Sequence, residues 1–206
     1  LYNRYEQLQV IEKSILLAFN ELKDCVSNNG KILICGNGGS ASDSEHMAAE
    51  LLKSFRKIRN LPDKQKKEFI RKLGKKDGNL IANSLHMGIK ALPLVSFSSF
   101  MTAFSNDDSF EMVFAQQVFV LGQPGDVLVA FSTTGNSKNV VNAIKTAKVK
   151  EIKSILISGG TGGIGSKIAD ISIIVPATET FEVQEFHLPI YHAICGELER
   201  YFYGAK

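Results

Sequence analysis

Short apolar runs that alternate with helical segments are the feature of this sequence that most constrains its fold. Each run is a few residues long and almost free of charge, as expected of parallel strands buried on both faces. The predicted strands are Ile32–Ile34, Leu92–Phe97, Val127–Phe131, Ser154–Ser158 and Ile171–Val175. Strands alternating with helices predict an α/β fold, with an open parallel five-stranded sheet flanked by helices in a three-layer αβα sandwich.

Helical periodicity is clearest near the N-terminus, where residues 3–28 form one long amphipathic pattern that stops at Asn28-Asn29-Gly30. This long N-terminal helix either packs on its own sheet or lies against a neighbouring subunit, and the sequence leaves both alternatives open. Further helices are predicted at residues 110–121, 139–148 and 183–203, and a Ser/Thr-rich turn is predicted after the second strand.

Length and composition fit one domain of a cytoplasmic protein. The chain has 206 residues, with 44% hydrophobic and 22% charged residues, which are ordinary globular values. Three cysteines without a CxxC spacing argue against a disulfide framework or a structural zinc site and favour a reducing compartment. No stretch resembles a signal peptide, and no apolar run approaches the roughly 20 residues of a membrane span.

The first strand leads into a glycine-rich loop and then into a helix that carries two chemically active side chains. The glycines of Gly36–Ser40 let backbone N–H groups approach a ligand closely. His46 and Glu50 are four residues apart and therefore share one face of the following helix. They are either a functional pair, as metal ligands or with Glu50 as a general base, or a plain surface pair; their place directly after the loop favours function.

A second loop, Ser132–Ser137, offers four hydroxyl groups at the start of a helix. Neutral donors and a helix N-terminus suit a phosphate monoester. The alternative is an ordinary serine N-cap, which would explain one hydroxyl and leave three unexplained. No Gly-Lys-[Ser/Thr] follows, so ATP hydrolysis is disfavoured.

The run Gly160–Gly165 matches the dinucleotide pattern GxGxxG, but too few residues follow it. The next strand begins near Ile171, whereas a crossover helix needs about a dozen residues. We therefore expect a flexible loop and no dinucleotide.

The segment from Arg56 to Lys76 is rich in lysine and arginine. It is either a solvated surface helix beginning near Leu61-Pro62-Asp63 or an electrostatic funnel for anions. Aromatic residues do not interleave the charges, which disfavours nucleic-acid binding.

The last predicted helix carries Gln184, His187 and His192. His192 with Glu50 would make an acid/base couple able to move a proton between adjacent carbons. Gln184 and His192 are eight residues apart, about 12 Å along a helix. Both can reach one metal ion only if the helix begins after Gln184, or if they serve different copies of the site in an oligomer.

Taken together and in their order, these motifs resemble the sugar isomerase (SIS) family, and within it the phosphoheptose isomerases. The motifs are Cys35-Gly-Asn-Gly-Gly-Ser40, His46-x-x-x-Glu50, Asn106-Asp107, Ser132-Thr-Thr-Gly-Asn-Ser137 and Gln184-Glu-x-His187…His192. The resemblance covers most of the chain. It implies a single SIS domain over residues 1–206, and a homotetramer with active sites between subunits and residues 1–28 at the oligomer interface.

The resemblance also implies roles for individual residues. One Zn²⁺ ion per subunit would be bound by His46, Glu50, Gln184 and His192. The substrate would be contacted by Asn37, Gly38, Gly39, Ser40, Glu50, Asn106, Asp107 and Gln184. Its phosphate would be bound by Ser132, Thr133, Thr134 and Ser137. Glu50 and His192 would be the catalytic residues. The expected partners are a phosphosugar and other copies of the chain, without nucleic acid or membrane.

The activity implied is an aldose–ketose isomerase that converts D-sedoheptulose 7-phosphate to D-glycero-D-manno-heptose 7-phosphate through an enediol, the first step of ADP- or GDP-heptose biosynthesis. Two alternatives remain: a SIS isomerase of another phosphosugar, and a non-catalytic SIS-type regulator or partner-binding protein. A regulator has no need of His46, Glu50, Gln184 and His192 together, which favours an enzyme.

The chain departs from the resemblance between Lys53 and Lys90, where the basic connection looks longer than in the best-known members. An insertion after the helix of His46 and Glu50 can border the site, so it bears on which sugar is accepted. We interpret His86, inside this segment, as structural.

Overall fold

The computed structural model describes residues 1–204, and at its centre lies a parallel sheet of five strands in the order β2-β1-β3-β4-β5. The strands are β1 Ile32–Cys35, β2 Ala91–Pro93, β3 Val127–Phe131, β4 Lys153–Ser158 and β5 Ile171–Ile174. The predicted open parallel sheet is confirmed, including the bounds of β3.

Eight α-helices accompany the strands over the described residues. They are α1 Glu12–Ser27, α2 Gly39–Leu52, α3 Asp63–Ser84, α4 Ser98–Phe104, α5 Val113–Leu121, α6 Lys138–Val149, α7 Gly165–Ile168 and α8 Thr180–Tyr203. A 3-10 turn, Glu6–Ile11, precedes α1, and another, Phe110–Met112, precedes α5. None of the helices within residues 1–204 has the length and apolar character needed to cross a bilayer.

Alternate residues of each strand point to opposite faces of the sheet, and helices cover both faces. Ile32 and Ile34 of β1 pack in the core beneath α1, α2 and α8. Leu33 and Cys35 pack in the core beneath α5 and α6. The three-layer αβα sandwich is therefore confirmed, as is the long N-terminal helix.

Two predicted boundaries around β2 are wrong. The second strand ends at Pro93, not at Phe97, because its neighbour β1 ends at Cys35 and leaves little to pair with. The serine-rich stretch that follows, expected as a turn, is helix α4. The rings of Phe100 and Phe104, one turn apart, stack at 5.2 Å and stabilise this helix.

The basic segment is mainly a surface helix, as the simpler alternative predicted, but not throughout. Helix α3 begins after Pro62 and is broken at Gly74, whose φ of 79° is not helical. Arg59 does not share the exposure of its neighbours: it is 2% exposed and lies in the interior. His86 accepts a long hydrogen bond from the Ser54 amide (3.4 Å), in keeping with a structural role.

The N-terminal helix packs on its own chain along one face. Ile15, Ala18 and Leu22 of α1 are buried against the sheet and α8. Leu16 and Leu17, on the other side of the helix, are 52% and 48% exposed. The interface that the sequence predicted for this helix stays a prediction.

The chain order of the strands creates a switch point between β1 and β3. From β1 the chain crosses to β2 on one side, then returns to β3 on the other side of β1. In open parallel sheets ligands bind in the crevice at the carboxyl ends of the strands at such a point. The loops at this edge are Gly36–Gly39 and Ser132–Ser137.

Candidate active site

The two loops at the switch point are joined by a pair of asparagine amides. Asn37 Nδ2 donates to Asn139 Oδ1 at 2.8 Å, and Asn139 Nδ2 donates back to Asn37 Oδ1 at 2.9 Å. This reciprocal pair fixes the glycine loop after β1 against the start of α6. The glycine loop and the hydroxyl loop therefore form one continuous edge.

Ser137 occupies the N-cap position of α6, but its hydroxyl does not cap the helix. It lies instead 3.1 Å from the Ser132 hydroxyl across the loop. In the first turn the Val140 amide donates to Asn139 Oδ1 at 2.9 Å, whereas the Lys138 and Asn139 amides have no acceptor among residues 1–204. These two free N–H groups leave part of the helix start available to an anion. This geometry favours the phosphate interpretation over the simple cap.

The loop Gly160–Gly165, which resembles a dinucleotide motif, packs against the backbone of the hydroxyl loop. The predicted absence of a crossover helix is confirmed, since only the four-residue α7 follows it. Gly165 N donates to Gly135 O at 2.9 Å, and Gly159 N donates to Thr133 O at 3.0 Å. A Cβ at Gly135, whose φ is +68°, would lie 1.8 Å from Gly162 O, so the two loops are in direct backbone contact.

Helices α2 and α8 run side by side in the same direction, and contacts recur along their length. At the N-terminal end, a Cβ at Gly39 would lie 2.7 Å from the Gln184 amide atoms. One turn further, His187 Nδ1 is 3.3 Å from Asp43 Oδ2.

In the next turn the two helices bring the acid/base candidates together. His46 Nε2 lies 3.3 Å from Glu50 Oε1, and the His46 and His192 rings are 5.0 Å apart. Tyr191 OH is 2.9 Å from His46 Nδ1 and fixes the ring from behind. Lys53 Nζ approaches the second carboxylate oxygen of Glu50 at 3.1 Å.

The surroundings of His192 favour its neutral form. Burial lowers the pKa of the His192 imidazole, helped by the positive charges of His46 and Arg56 and opposed by Glu50. The Nε2 atom of His192 is buried and has no hydrogen-bond partner within residues 1–204. A neutral imidazole with a free nitrogen can accept a proton or bind a metal ion.

Within one copy of the chain Gln184 lines the same cavity as His46, but among the described residues it makes no hydrogen bond to Glu50 or His192. The sequence left two ways for Gln184 and His192 to bind one metal ion. The first, a helix that begins after Gln184, is excluded because helix α8 begins at Thr180. Gln184 lies beside Gly39 at the start of α2, eleven residues or about 16 Å before Glu50. The second alternative, that Gln184 and His192 serve different copies of the site in an oligomer, is compatible with this geometry.

Asn106 and Asp107 lie in the short π-helix Ser105–Ser109, which directly follows α4. Both are exposed, and Asn106 Nδ2 donates to Asp107 Oδ1 at 2.9 Å. Among the described residues, neither has a hydrogen bond to the His46–Glu50 cluster. Their role as substrate contacts stays a prediction.

The donor set around His192 suits a zinc ion, although one copy of the chain does not complete a site. No three His, Cys, Asp or Glu side chains of residues 1–204 converge as a metal site. His46 Nε2 nevertheless lies beside the Glu50 carboxylate, and the His46 ring packs against the ring of His192, whose Nε2 has no partner among the described residues. Imidazole and carboxylate are ligands that zinc prefers.

Several residues of the site carry no sequence signal that we recognised. Asn139, Asp43 and Tyr191 contact predicted site residues across large sequence separations. Tyr191 could have been suspected as the neighbour of His192, and Asn139 from its place just after the hydroxyl loop.

The fold and the edge at its switch point define a SIS-domain protein of the α/β class. The SIS domain family matches residues 81–159, which span β2, β3 and β4 with the hydroxyl loop.

Comparison with known proteins identifies one family within the SIS-domain class. The phosphoheptose isomerase of Helicobacter pylori (strain ATCC 700392 / 26695) is 37% identical over 197 residues, covering 96% of this chain and 88% of that protein. The structure of phosphoheptose isomerase from Neisseria gonorrhoeae superposes with a TM-score of 0.77 at 33% identity, covering 95% of this chain and 90% of that one. The Francisella tularensis phosphoheptose isomerase gives a TM-score of 0.78 at 28% identity, with 96% and 91% covered.

The chain belongs to the phosphoheptose isomerase family. It is an isomerase of sugar phosphate metabolism.

Proposed function

We propose that this enzyme converts D-sedoheptulose 7-phosphate to D-glycero-D-manno-heptose 7-phosphate. The observation that carries the proposal is that Glu50 and His192, from different helices, both lie against His46: Glu50 Oε1 is 3.3 Å from His46 Nε2, and the His46 and His192 rings are 5.0 Å apart. A carboxylate and an imidazole with a free nitrogen are the two groups that an enediol mechanism needs. The reaction would be the first step of ADP- or GDP-heptose biosynthesis, in the cytoplasm.

In the proposed mechanism Glu50 removes a proton from C1 of the ketose, and the same proton or one from solvent returns to C2. His192 is the complementary acid/base, exchanging protons with the oxygens on C1 and C2 as the enediol forms and collapses. The phosphate is held by the Ser132–Ser137 loop, and the sugar by Asn37, Gly38, Gly39 and Ser40, with Asn106 and Asp107. Binding the two ends of the substrate fixes the reacting carbons against Glu50.

A zinc ion bound by His46, Glu50, Gln184 and His192 would polarise the oxygen atoms of the substrate. Since Gln184 and His192 lie far apart on the continuous helix α8, we propose that another copy of the chain supplies Gln184. A homotetramer with sites between subunits meets this requirement, and the exposed Leu16 and Leu17 on α1 are available for the contact.

Glu50→Gln and His192→Ala test the mechanism. Each should lower kcat for sedoheptulose 7-phosphate by about 100-fold or more, as expected for loss of a general base or acid. Matched controls are Glu45→Gln, an exposed carboxylate on the same helix, and His86→Ala, both expected to keep wild-type rates. Near wild-type turnover in the two site variants would show the mechanism to be wrong.

Specificity is tested with the same protein by comparing heptose and hexose phosphates side by side. We expect kcat/KM to be highest for the heptose phosphate. A hexose phosphate that reacts faster would assign the enzyme to another phosphosugar and direct attention to residues 53–90.

A further inference from the structure

A buried ion pair lies directly behind the proposed acid/base residues. Arg59 Nε donates to Glu199 Oε1 at 2.7 Å, and the two side chains are 0% and 2% exposed. Glu199 is on α8, seven residues or two turns beyond His192, and so shares a face with it. Arg59 follows α2, the helix of Glu50.

Arg59 caps the last turn of α2, which includes the proposed base Glu50. Its Nη2 donates to Glu50 O at 3.0 Å, and its Nη1 donates to Leu51 O at 2.8 Å. The last carbonyl groups of a helix have no partners within the helix, and a cation is favourable there. The guanidinium group thus fixes the backbone from which the Glu50 side chain projects.

Glu199 organises the turn that follows α2. Its carboxylate accepts the amides of Phe55 (2.8 Å), Arg56 (2.7 Å) and Lys57 (3.1 Å). Consecutive backbone N–H groups that enclose an anion make a rigid turn.

This turn forms one wall around His192. The Phe55 ring lies 5.3 Å from the His192 ring. The Arg56 guanidinium is so close to α8 that a Cβ at Gly196 would be 3.2 Å from its Cζ. The ion pair therefore affects both proposed acid/base residues. It binds the backbone of Glu50 directly, and it holds the turn that packs against His192.

We propose that Arg59 and Glu199 act together as positioning residues that set the Glu50 carboxylate and the His192 imidazole relative to each other. A contribution to stability alone is a weak explanation, because a buried ion pair often stabilises a fold no better than apolar side chains of similar size. The proposal rests on the proposed function of Glu50 and His192.

Arg59→Lys and Glu199→Gln test the proposal. Lysine keeps the charge but cannot bridge the two carbonyl groups, and glutamine places an NH2 group against backbone donors. In folded protein, each should lower kcat about tenfold or more while KM for sedoheptulose 7-phosphate changes less than about twofold. Matched controls are Arg200→Lys and Glu197→Gln, an exposed ion pair on the same helix, expected to leave kcat unchanged.

Imidazole NMR signals supply a readout that does not need turnover. The His192 signal, assigned by its loss in His192→Gln, should shift or broaden in both variants, while that of His187, twelve residues before Glu199, stays in place. If wild-type protein fails to turn over the substrate, the proposed function is wrong, and the His192 signal still decides the positioning role.

Unchanged kcat together with an unchanged His192 signal in folded Arg59→Lys and Glu199→Gln would overturn the inference. If either single variant does not fold, kcat and the His192 signal are measured in the neutral double variant Arg59→Gln/Glu199→Gln instead. A lower kcat with a changed His192 signal is expected there too, and no change in either would overturn the inference.

Discussion

At the scale of single residues, the Ser137 hydroxyl shows how a common position can be used in an uncommon way. It stands where a serine would cap α6, yet it faces the Ser132 hydroxyl at 3.1 Å and makes no capping bond. Its removal should therefore cost binding and leave the stability of the helix almost unchanged.

We predict that Ser137→Ala raises KM for the phosphosugar about tenfold, the effect of one lost hydrogen bond to a charged group. The free energy of unfolding should change by less than about 0.5 kcal/mol. Steady-state kinetics and urea unfolding measure both, with the exposed Thr178→Ala as control. An unchanged KM, or a large loss of stability, would favour the capping role instead.

Tyr191 is the partner that orients His46. Its hydroxyl lies 2.9 Å from His46 Nδ1, leaving Nε2 toward Glu50. We predict that Tyr191→Phe weakens binding of the proposed zinc ion about tenfold or more, because the hydrogen-bond partner of a ligating imidazole fixes its tautomer and orientation. Competition with a chelator measures this, and Tyr201→Phe on the exposed side of α8 is the control. Equal zinc affinity in both variants would contradict the role.

Contacts between residues far apart in the chain limit what the sequence can predict about the site. The spacing of His46 and Glu50 on one helix was sufficient to place them on a common face. The Tyr191–His46 and Asn37–Asn139 contacts bridge 145 and 102 residues, so they depend on how helices pack and loops meet at the sheet edge. Local patterns carry no information about such packing.

At the scale of elements, the loop after β4 supports the loop after β3 through backbone contacts. The backbones of Gly135 and Gly162 are so close that a Cβ at Gly135 would lie 1.8 Å from Gly162 O. The sequence predicted correctly that no long crossover helix follows the glycine pattern, since only α7 lies between it and β5. Its supporting role follows from the adjacency of β3 and β4, which the pattern itself does not contain.

We predict that Gly135→Ala lowers the free energy of unfolding by about 3 kcal/mol or more, because backbone clash adds to the strain of a positive φ. It should also raise KM for the phosphosugar by displacing the hydroxyl loop. Gly160→Ala is the matched control: its φ is +56° with nothing within 4 Å of a Cβ, so only about 1 kcal/mol is expected. Equal effects of the two substitutions would show that the loops are not in close contact.

Among the elements themselves, the buried strands were predicted well and the boundaries near β2 were not. Uninterrupted apolar runs such as Val127–Phe131 have one stable environment, a covered sheet. Ser98 and Ser99 suggested a turn, but they begin a helix, because the stacked Phe100 and Phe104 outweigh the preference of serine for loops.

At the scale of the whole molecule, the buried pair Arg59–Glu199 links the folding of the chain to pH. Burial acts to raise the pKa of Glu199, but hydrogen bonds from Phe55, Arg56 and Arg59, with the Arg59 charge, outweigh it and hold the pKa below its usual range. A carboxyl group whose pKa is lowered by folding contributes stability that is complete above its unfolded pKa, about 4.3, and is lost as pH falls through the lower folded value.

We therefore predict that the urea midpoint falls as pH drops below about 4.3, and that it falls less steeply in Glu199→Gln than in wild-type protein. Glu197→Gln, with a half-exposed carboxylate two residues away on α8, should retain the wild-type pH dependence. Parallel pH profiles for wild type and Glu199→Gln would contradict this account of acid sensitivity.

The central claim, proton transfer by Glu50 through an enediol, is tested most directly by NMR of the reaction in D2O. Wild-type protein given sedoheptulose 7-phosphate should form D-glycero-D-manno-heptose 7-phosphate, with deuterium at C2 in those turnovers in which the proton held by Glu50 exchanges with solvent, and Glu50→Gln should form the aldose at least about 100-fold more slowly. Absence of the aldose with wild-type protein, or an undiminished rate with Glu50→Gln, would contradict the claim.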